Sequence, residues 1–163
     1  MKGQDAVNDL LSRTKAIVET IVDGVITISD RGLIETVNPA VEKIFGYRLD
    51  ELSGQNVSML MPNPYQREHD SYLSNYLSTG EKKIIGIGRE VTGRRKDGST
   101  FPLELAISEM EVNGQRMFTG IVRDISLRKA TEEKLRELLT RTKAILDTIV
   151  DGVITISDRG CIE

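Results

Sequence analysis

Cysteine is all but missing. The chain of 163 residues holds one, Cys161, so a disulfide framework and a thiolate metal cluster are both excluded. For the residues before it, the same absence excludes a cysteine nucleophile, a thioester-linked chromophore and flavin photochemistry through a cysteine adduct, while a non-covalently held flavin stays open. Long apolar runs are also lacking: nothing approaches the roughly 18 residues of a membrane span, and Met1–Leu10 has no apolar heart of the kind a signal peptide needs, so a cytoplasmic protein is expected. Positive charge is scarce. With a formal net charge of −3 there is no clustered Lys/Arg surplus to neutralise phosphates, and the short basic run Arg94-Arg95-Lys96 is read as a solvated hairpin tip. Gly86-x-Gly88 has Val91 where a dinucleotide fingerprint needs its third glycine. His69-Asp70 has the look of a kinase phosphoacceptor, but no ATP-binding glycine boxes follow it, and no enzymatic activity is expected of this chain.

A long repeat is present. Residues 12–35 and 140–163 differ only at Ser12/Thr140, Val18/Leu146, Glu19/Asp147 and Leu33/Cys161, an offset too long for a solenoid and suited to one small domain with its connecting helix. Val7, Leu10, Thr14, Ile17 and Ile21 run along one helical stripe, and Leu135, Leu138, Thr142, Ile145 and Ile149 repeat it. Alternating steps of three and four form a coiled-coil seam, which predicts a homodimer through these helices; the other reading is an amphipathic helix lying on its own domain. The expected organisation is a helix over 1–19, a sensor domain over 20–126, a linker helix over 127–149 and the start of a second, truncated repeat over 150–163.

Between the helices, Gly24–Asp30 and Leu33–Val37 are β-branched runs joined by Asp30-Arg31-Gly32. Asn38-Pro39 reads as a helix cap followed by proline at the first helical position, with Val41, Ile44 and Phe45 on the apolar face. A short helix starts at Leu49, and Pro62 and Pro64 precede a longer one over about 65–78. Strands are expected over 85–92, 101–109 and 115–125, turned by Lys96-Asp97-Gly98 and Val112-Asn113-Gly114. The fold class is α+β: a five-stranded antiparallel sheet with short helices on one side.

His69 is the only histidine, and on a helix it shares a face with Leu73 and Tyr76. Phe101, Leu103, Leu105 and Ile107 alternate to one side of their strand, Phe118, Gly120 and Val122 to one side of the last, and Gly86 and Gly88 thin the strand before them. An aliphatic pocket with one imidazole suits a flat hydrophobic cofactor with iron at its centre.

Asp23-Gly24-Val25-Ile26, Asn38-Pro39-Ala40, Arg95-Lys96-Asp97-Gly98 and Asp124-Ile125-Ser126, in that order, resemble the PAS fold over residues 20–127. Leu60-Met61-Pro62, Glu68-His69-Asp70-Ser71-Tyr72, Tyr76, Ile84–Arg89, Val91-Thr92-Gly93 and Phe101-Pro102 are more specific, and resemble the haem-PAS domain of FixL-type oxygen-sensing histidine kinases. The resemblance implies haem b with His69 as proximal iron ligand, and Arg89 on the distal side, exchanging between a propionate and bound oxygen. It also implies that Ile84, Leu105 and Ile107 enclose a diatomic ligand such as O2, and that Val57, Leu60, Met61, Tyr72, Tyr76, Leu103 and Gly120 help to form the cavity. Two positions depart from the family: Asn75 stands for a propionate-binding arginine, and Lys83, still able to pair with a carboxylate, for a histidine. A haem-free dimerisation or relay domain, with an empty or differently filled pocket, is the alternative.

Overall fold

The structure, a computed structural model, describes the backbone of residues 2–80 and 88–158 and the side chains of 7–80 and 88–149. Residues 1–125 form one compact unit and 126–163 a second.

The first unit opens with helix α1 (Lys2–Thr20), followed by strands β1 (Gly24–Ser29) and β2 (Ile34–Val37). Helices α2 (Pro39–Phe45) and α3 (Leu49–Leu52), a 3-10 turn (Val57–Leu60) and helix α4 (Tyr65–Thr79) come next. Strands β3 (Arg89–Arg94), β4 (Thr100–Val112) and β5 (Gln115–Asp124) complete it. They form one antiparallel sheet in the order β2-β1-β5-β4-β3, so the first strand to form its hairpin ends beside the last in sequence. The turns have the chemistry that the sequence offers: Gly32, Gly98, Asn113 and Gly114 all take positive φ, which glycine and asparagine tolerate best. Expected strand residues 85–87 lie outside the described residues; Gly88 precedes β3, which runs on to Arg94.

The core is aliphatic with two rings. Ile26, Ile34, Val41, Phe45, Leu52, Val57, Leu60, Phe101, Leu103 and Val122 pack together, and Phe45 meets Phe101 edge to face at 5.5 Å. Each fully buried side chain of this size contributes about 1.5–3 kcal/mol relative to exposure. These residues reach from Leu103, which pairs with Asp124 at the end of β5, to Ile34, which pairs with Ile28 near the far end of β1.

Two expectations are corrected here. Asn38 stands at the N-cap of α2, but its side chain makes no cap bond there. Its Oδ1 accepts from the Val25 amide at 2.8 Å, and its Nδ2 donates to the carbonyls of Val18 and Asp23 at 3.1 and 3.0 Å. An amide carries both donors and acceptors, so one buried side chain ties the end of α1 to the start of β1. The basic run is not a solvated tip either. Arg94 donates to the Met59 carbonyl, Lys96 pairs with Glu51, and Arg95 lies 3.8 Å from the Phe101 ring centroid while pairing with Asp124 at 2.7 Å and donating to the Ile44 carbonyl. The short hairpin folds these cations back over polar groups that the core leaves at its edge.

In the second unit, helix α5 spans Ser126–Asp158. Its backbone stays helical through 152–158, although the same seven residues, Gly-Val-Ile-Thr-Ile-Ser-Asp, form β1 and its turn at 24–30. In the first unit β1 bonds to strands on both sides; residues 126–158 contain no strand to pair with, and continuing the helix satisfies the same backbone groups locally.

Candidate functional site

The site is built around α4. Pro62 and Pro64 stop the chain just before it, and Gly80, at positive φ, ends it by donating to the Tyr76 carbonyl at 2.8 Å. The helix buries none of its residues. It is tethered instead at points: Asn56 donates to Asp70 at 3.0 Å, Leu73 lies over Gly32, and Tyr76 reaches β4 and β5.

His69 is turned inward, with its side chain 19% exposed. Its Nδ1 is buried without a hydrogen-bond partner; the nearest carboxylate oxygen, on Asp70, stands 3.6 Å away, beyond hydrogen-bond reach. Burial pushes the imidazole below its ordinary 6.5, against a smaller opposing pull from Asp70. The protein therefore presents a neutral, incompletely satisfied imidazole.

On β4 and β5, burial varies along one face of the sheet. Phe101 and Leu103 are buried, whereas Leu105, Ile107 and Gly120 are half-buried. Gly120 lies across from Ile107 in register, and a side chain added there would meet only the Leu105 Cδ1 at 3.6 Å and the Ile26 carbonyl at 3.9 Å. Arg89 opens β3 directly across from Leu105, on the side of the strand shared by Val91 and Gly93. Val57, Leu60 and Leu103 belong to the packed core, and Met61 is half-buried beside it.

Tyr76 is half-buried against Phe118, whereas Tyr72 is 49% exposed and donates to Glu68 one turn away at 2.6 Å. The difference is one of phase, since Tyr72 follows His69 by three residues and Leu73, which lies over Gly32, by four. Asn75 is exposed and engages its backbone carbonyl with Ser78 and Thr79. Lys83 and Ile84 lie outside the described residues. A broad open groove of about 560 Å³ runs along a neighbouring stripe of α4, bordered by Asp30, Asp70, Leu73 and Leu77. It shares Leu73 with the inner face and nothing else of the candidate set.

Sequence reading missed Glu109, which accepts a hydrogen bond from Tyr76 and pairs with Arg116. On its strand it continues the 101, 103, 105, 107 alternation, and a carboxylate at the end of an apolar file was the available signal. Among the described residues no group of His, Cys, Asp and Glu side chains is arranged to hold a bare metal ion, so a metal here would need a cofactor to carry it.

An antiparallel sheet in the order β2-β1-β5-β4-β3, with helices inserted between β2 and β3, defines an α+β domain. Residues 12–125 match the PAS fold family, and the chain belongs to it. It is 47% identical over 124 residues to the sensor protein FixL of Bradyrhizobium diazoefficiens, covering 76% of this chain and 25% of that protein. It is 30% identical over 139 residues to the oxygen sensor protein DosP of Escherichia coli, covering 85% of this chain and 17% of that protein. The chain thus spans a quarter or less of the length of these relatives. The PAS domain of an HTR-like protein from Haloarcula marismortui superposes with a TM-score of 0.63 at 23% identity, over 76% of this chain and 98% of that one. No helix among the described residues is long and apolar enough to cross a membrane.

Proposed function

We propose that this chain is the sensory module of a signalling protein such as a histidine kinase, holding haem b through His69 and responding to a diatomic gas such as O2. The observation that carries the reading is the buried Nδ1 of the sole histidine, unpartnered, on an imidazole kept neutral by burial. The similarity to FixL and DosP supports it. Leu105, Ile107 and Gly120 offer an apolar wall with space at the glycine, and Arg89 a guanidinium at its edge. When bound, haem would supply an iron centre that takes a small gas reversibly. Arg89 would favour O2, which draws more negative charge than CO, so Arg89→Ala is expected to speed O2 release much more than CO release.

The proposed organisation is a paired entry helix over 1–19, the sensor over 20–126, a signalling helix over 127–149 and the opening of a second module over 150–163. Val7, Leu10 and Ile17 on α1 and Leu135, Leu138, Ile145 and Ile149 on α5 are each more than half exposed, and a second copy pairing along these stripes would cover them. In a background with Cys161 replaced, cysteines at Leu138 and Ile145 should cross-link between copies far better than ones at Glu137 or Lys143.

Haem reconstitution tests the central reading. The purified chain is expected to bind one haem with an intense Soret band, and His69→Ala to lose the ligated ferrous spectrum. A chain that takes up no haem, or a His69→Ala variant with unchanged stoichiometry and spectrum, overturns it. The first outcome would leave the second reading, a haem-free relay domain, which Asn75 in place of an arginine favours.

A further inference from the structure

Beneath the second half of α4 lies a polar cluster that the proposed function does not use. Tyr76 follows His69 by seven residues, so the two side chains share one face of the helix about two turns apart. The Tyr76 ring meets Phe118 on β5 edge to face, with centroids 5.8 Å apart. Its hydroxyl donates to Glu109 Oε2 on β4 at 2.6 Å, and the other Glu109 oxygen, Oε1, accepts from Arg116 Nε on β5 at 2.9 Å. Glu109 is directly opposite Phe118 in register, so ring and carboxylate receive one side chain from two adjacent strands.

We infer that Glu109 is a positioning residue for His69: with Arg116 holding its carboxylate in place, it latches Tyr76 and thereby seats the histidine helix over the sheet. The reason is position. Among the described residues, the packing of α4 on the 3-10 turn Val57–Leu60 and the Asn56–Asp70 bond sit toward its start, and Leu73 over Gly32 sits on its neighbouring stripe. Tyr76 is what ties the second half of the helix to the sheet, and a short bond to a carboxylate acceptor is stronger than a neutral one. The Glu109 side chain is only 28% exposed, which limits solvent competition for it. The hydrogen bond to Glu109 also holds the Tyr76 phenol above its ordinary 10.0, so the donor stays protonated throughout the working pH range.

As a statement about ligand affinity, the inference rests on the haem reading; as a statement about the helix, it does not. The single histidine provides a direct measurement: diethyl pyrocarbonate modifies its imidazole, and ultraviolet absorbance follows the rate in the apo-protein, with His69→Gln as blank. Tyr76→Phe keeps the ring and loses the donor, and Glu109→Ala loses the acceptor; each is expected to raise the rate about three- to tenfold. Glu109→Gln still accepts from Tyr76 and should stay within about twofold of wild type. Amide exchange should rise over residues 69–79 and remain unchanged in β1. Where haem binds, its dissociation should quicken in the same order of variants. Wild-type reactivity in both Tyr76→Phe and Glu109→Ala overturns the latch, whether or not haem binds. Failure of the wild-type chain to take up haem overturns the haem reading alone, because the modification rates still decide the latch.

Discussion

Ile34, Val41, Phe45 and Leu52, in the core that α2 and α3 close, are each under 2% exposed; the fifteen-residue helix α4 buries no residue at all. All three are helices of the segment between β2 and β3, so the contrast is not one of secondary structure. It lies in how each is held. α2 and α3 press side chains into an aliphatic core; α4 is held by hydrogen bonds and single contacts such as Asn56–Asp70 and Tyr76–Glu109. Local opening should therefore cost less at α4 than at α2.

The largest effect tests the contrast directly. Phe45→Ala should cost about 3–5 kcal/mol by chemical denaturation, through lost burial and the cavity left against Phe101, while Leu73→Ala on α4 should cost about 1 kcal/mol. Equal costs would mean that α4 is as integral to the core as α2.

Glycines sharpen the same contrast. A Cβ at Gly93 would stand 2.5 Å from the Leu103 Cδ2 and 2.9 Å from the Phe101 ring, both in the packed core, so Gly93→Ala should destabilise by about 1–3 kcal/mol. Gly120→Ala meets nothing closer than 3.6 Å and should stay within about 0.5 kcal/mol of wild type. If the haem reading holds, the added methyl will still weaken haem uptake. A Gly120 variant that unfolds would show the pocket to be already filled.

At the start of β1, Asn38 gathers three hydrogen bonds at 2% exposure, and Asn38→Ala should cost about 1–3 kcal/mol by stranding the Val25 amide and two carbonyls. Amide exchange should accelerate near the α1–β1 junction and not in α4. A loss confined to α2 would restore the simple helix-cap role.

That asparagine also marks the limit of what the chain's letters reveal. Strand alternation, turn glycines and Asn-Pro placed every element of the described sheet to within a few residues, since these signals act locally. The inward file of Phe101, Leu103, Leu105 and Ile107 was equally visible in the 101–107 alternation. Long-range polar partnerships were not: the Arg95–Asp124 pair, the Tyr76–Glu109 bond and the Asn38 hub each join residues far apart in sequence, and a charge pattern says nothing about which distant carboxylate a cation will meet. Nor does composition choose between helix and strand for Gly-Val-Ile-Thr-Ile-Ser-Asp, which is extended between partners at 24–30 and helical at 152–158. Tyr72 shows the remaining kind of error, in which one position of helical phase separates a pocket residue from a solvent-facing one.

The smallest expected effect concerns His69 and has a definite sign. In the unfolded chain the imidazole takes a proton around its ordinary 6.5, whereas burial lowers its affinity for protons in the folded chain, against the smaller opposing influence of Asp70. Below that pH the unfolded state binds more protons, so protonation favours unfolding; the stability linked to the neutral imidazole is complete above 6.5 and is lost as pH falls through the lower folded value. Compared with His69→Gln, which does not titrate, wild-type stability should run parallel from about pH 7 upward and drop away below it. Asp70→Asn removes the opposing charge and should steepen that drop. A difference that stays flat would mean that burial leaves the imidazole unshifted, and one that grows in favour of wild type as pH falls that the folded protein prefers a charged imidazole, where haem ligation needs a neutral nitrogen.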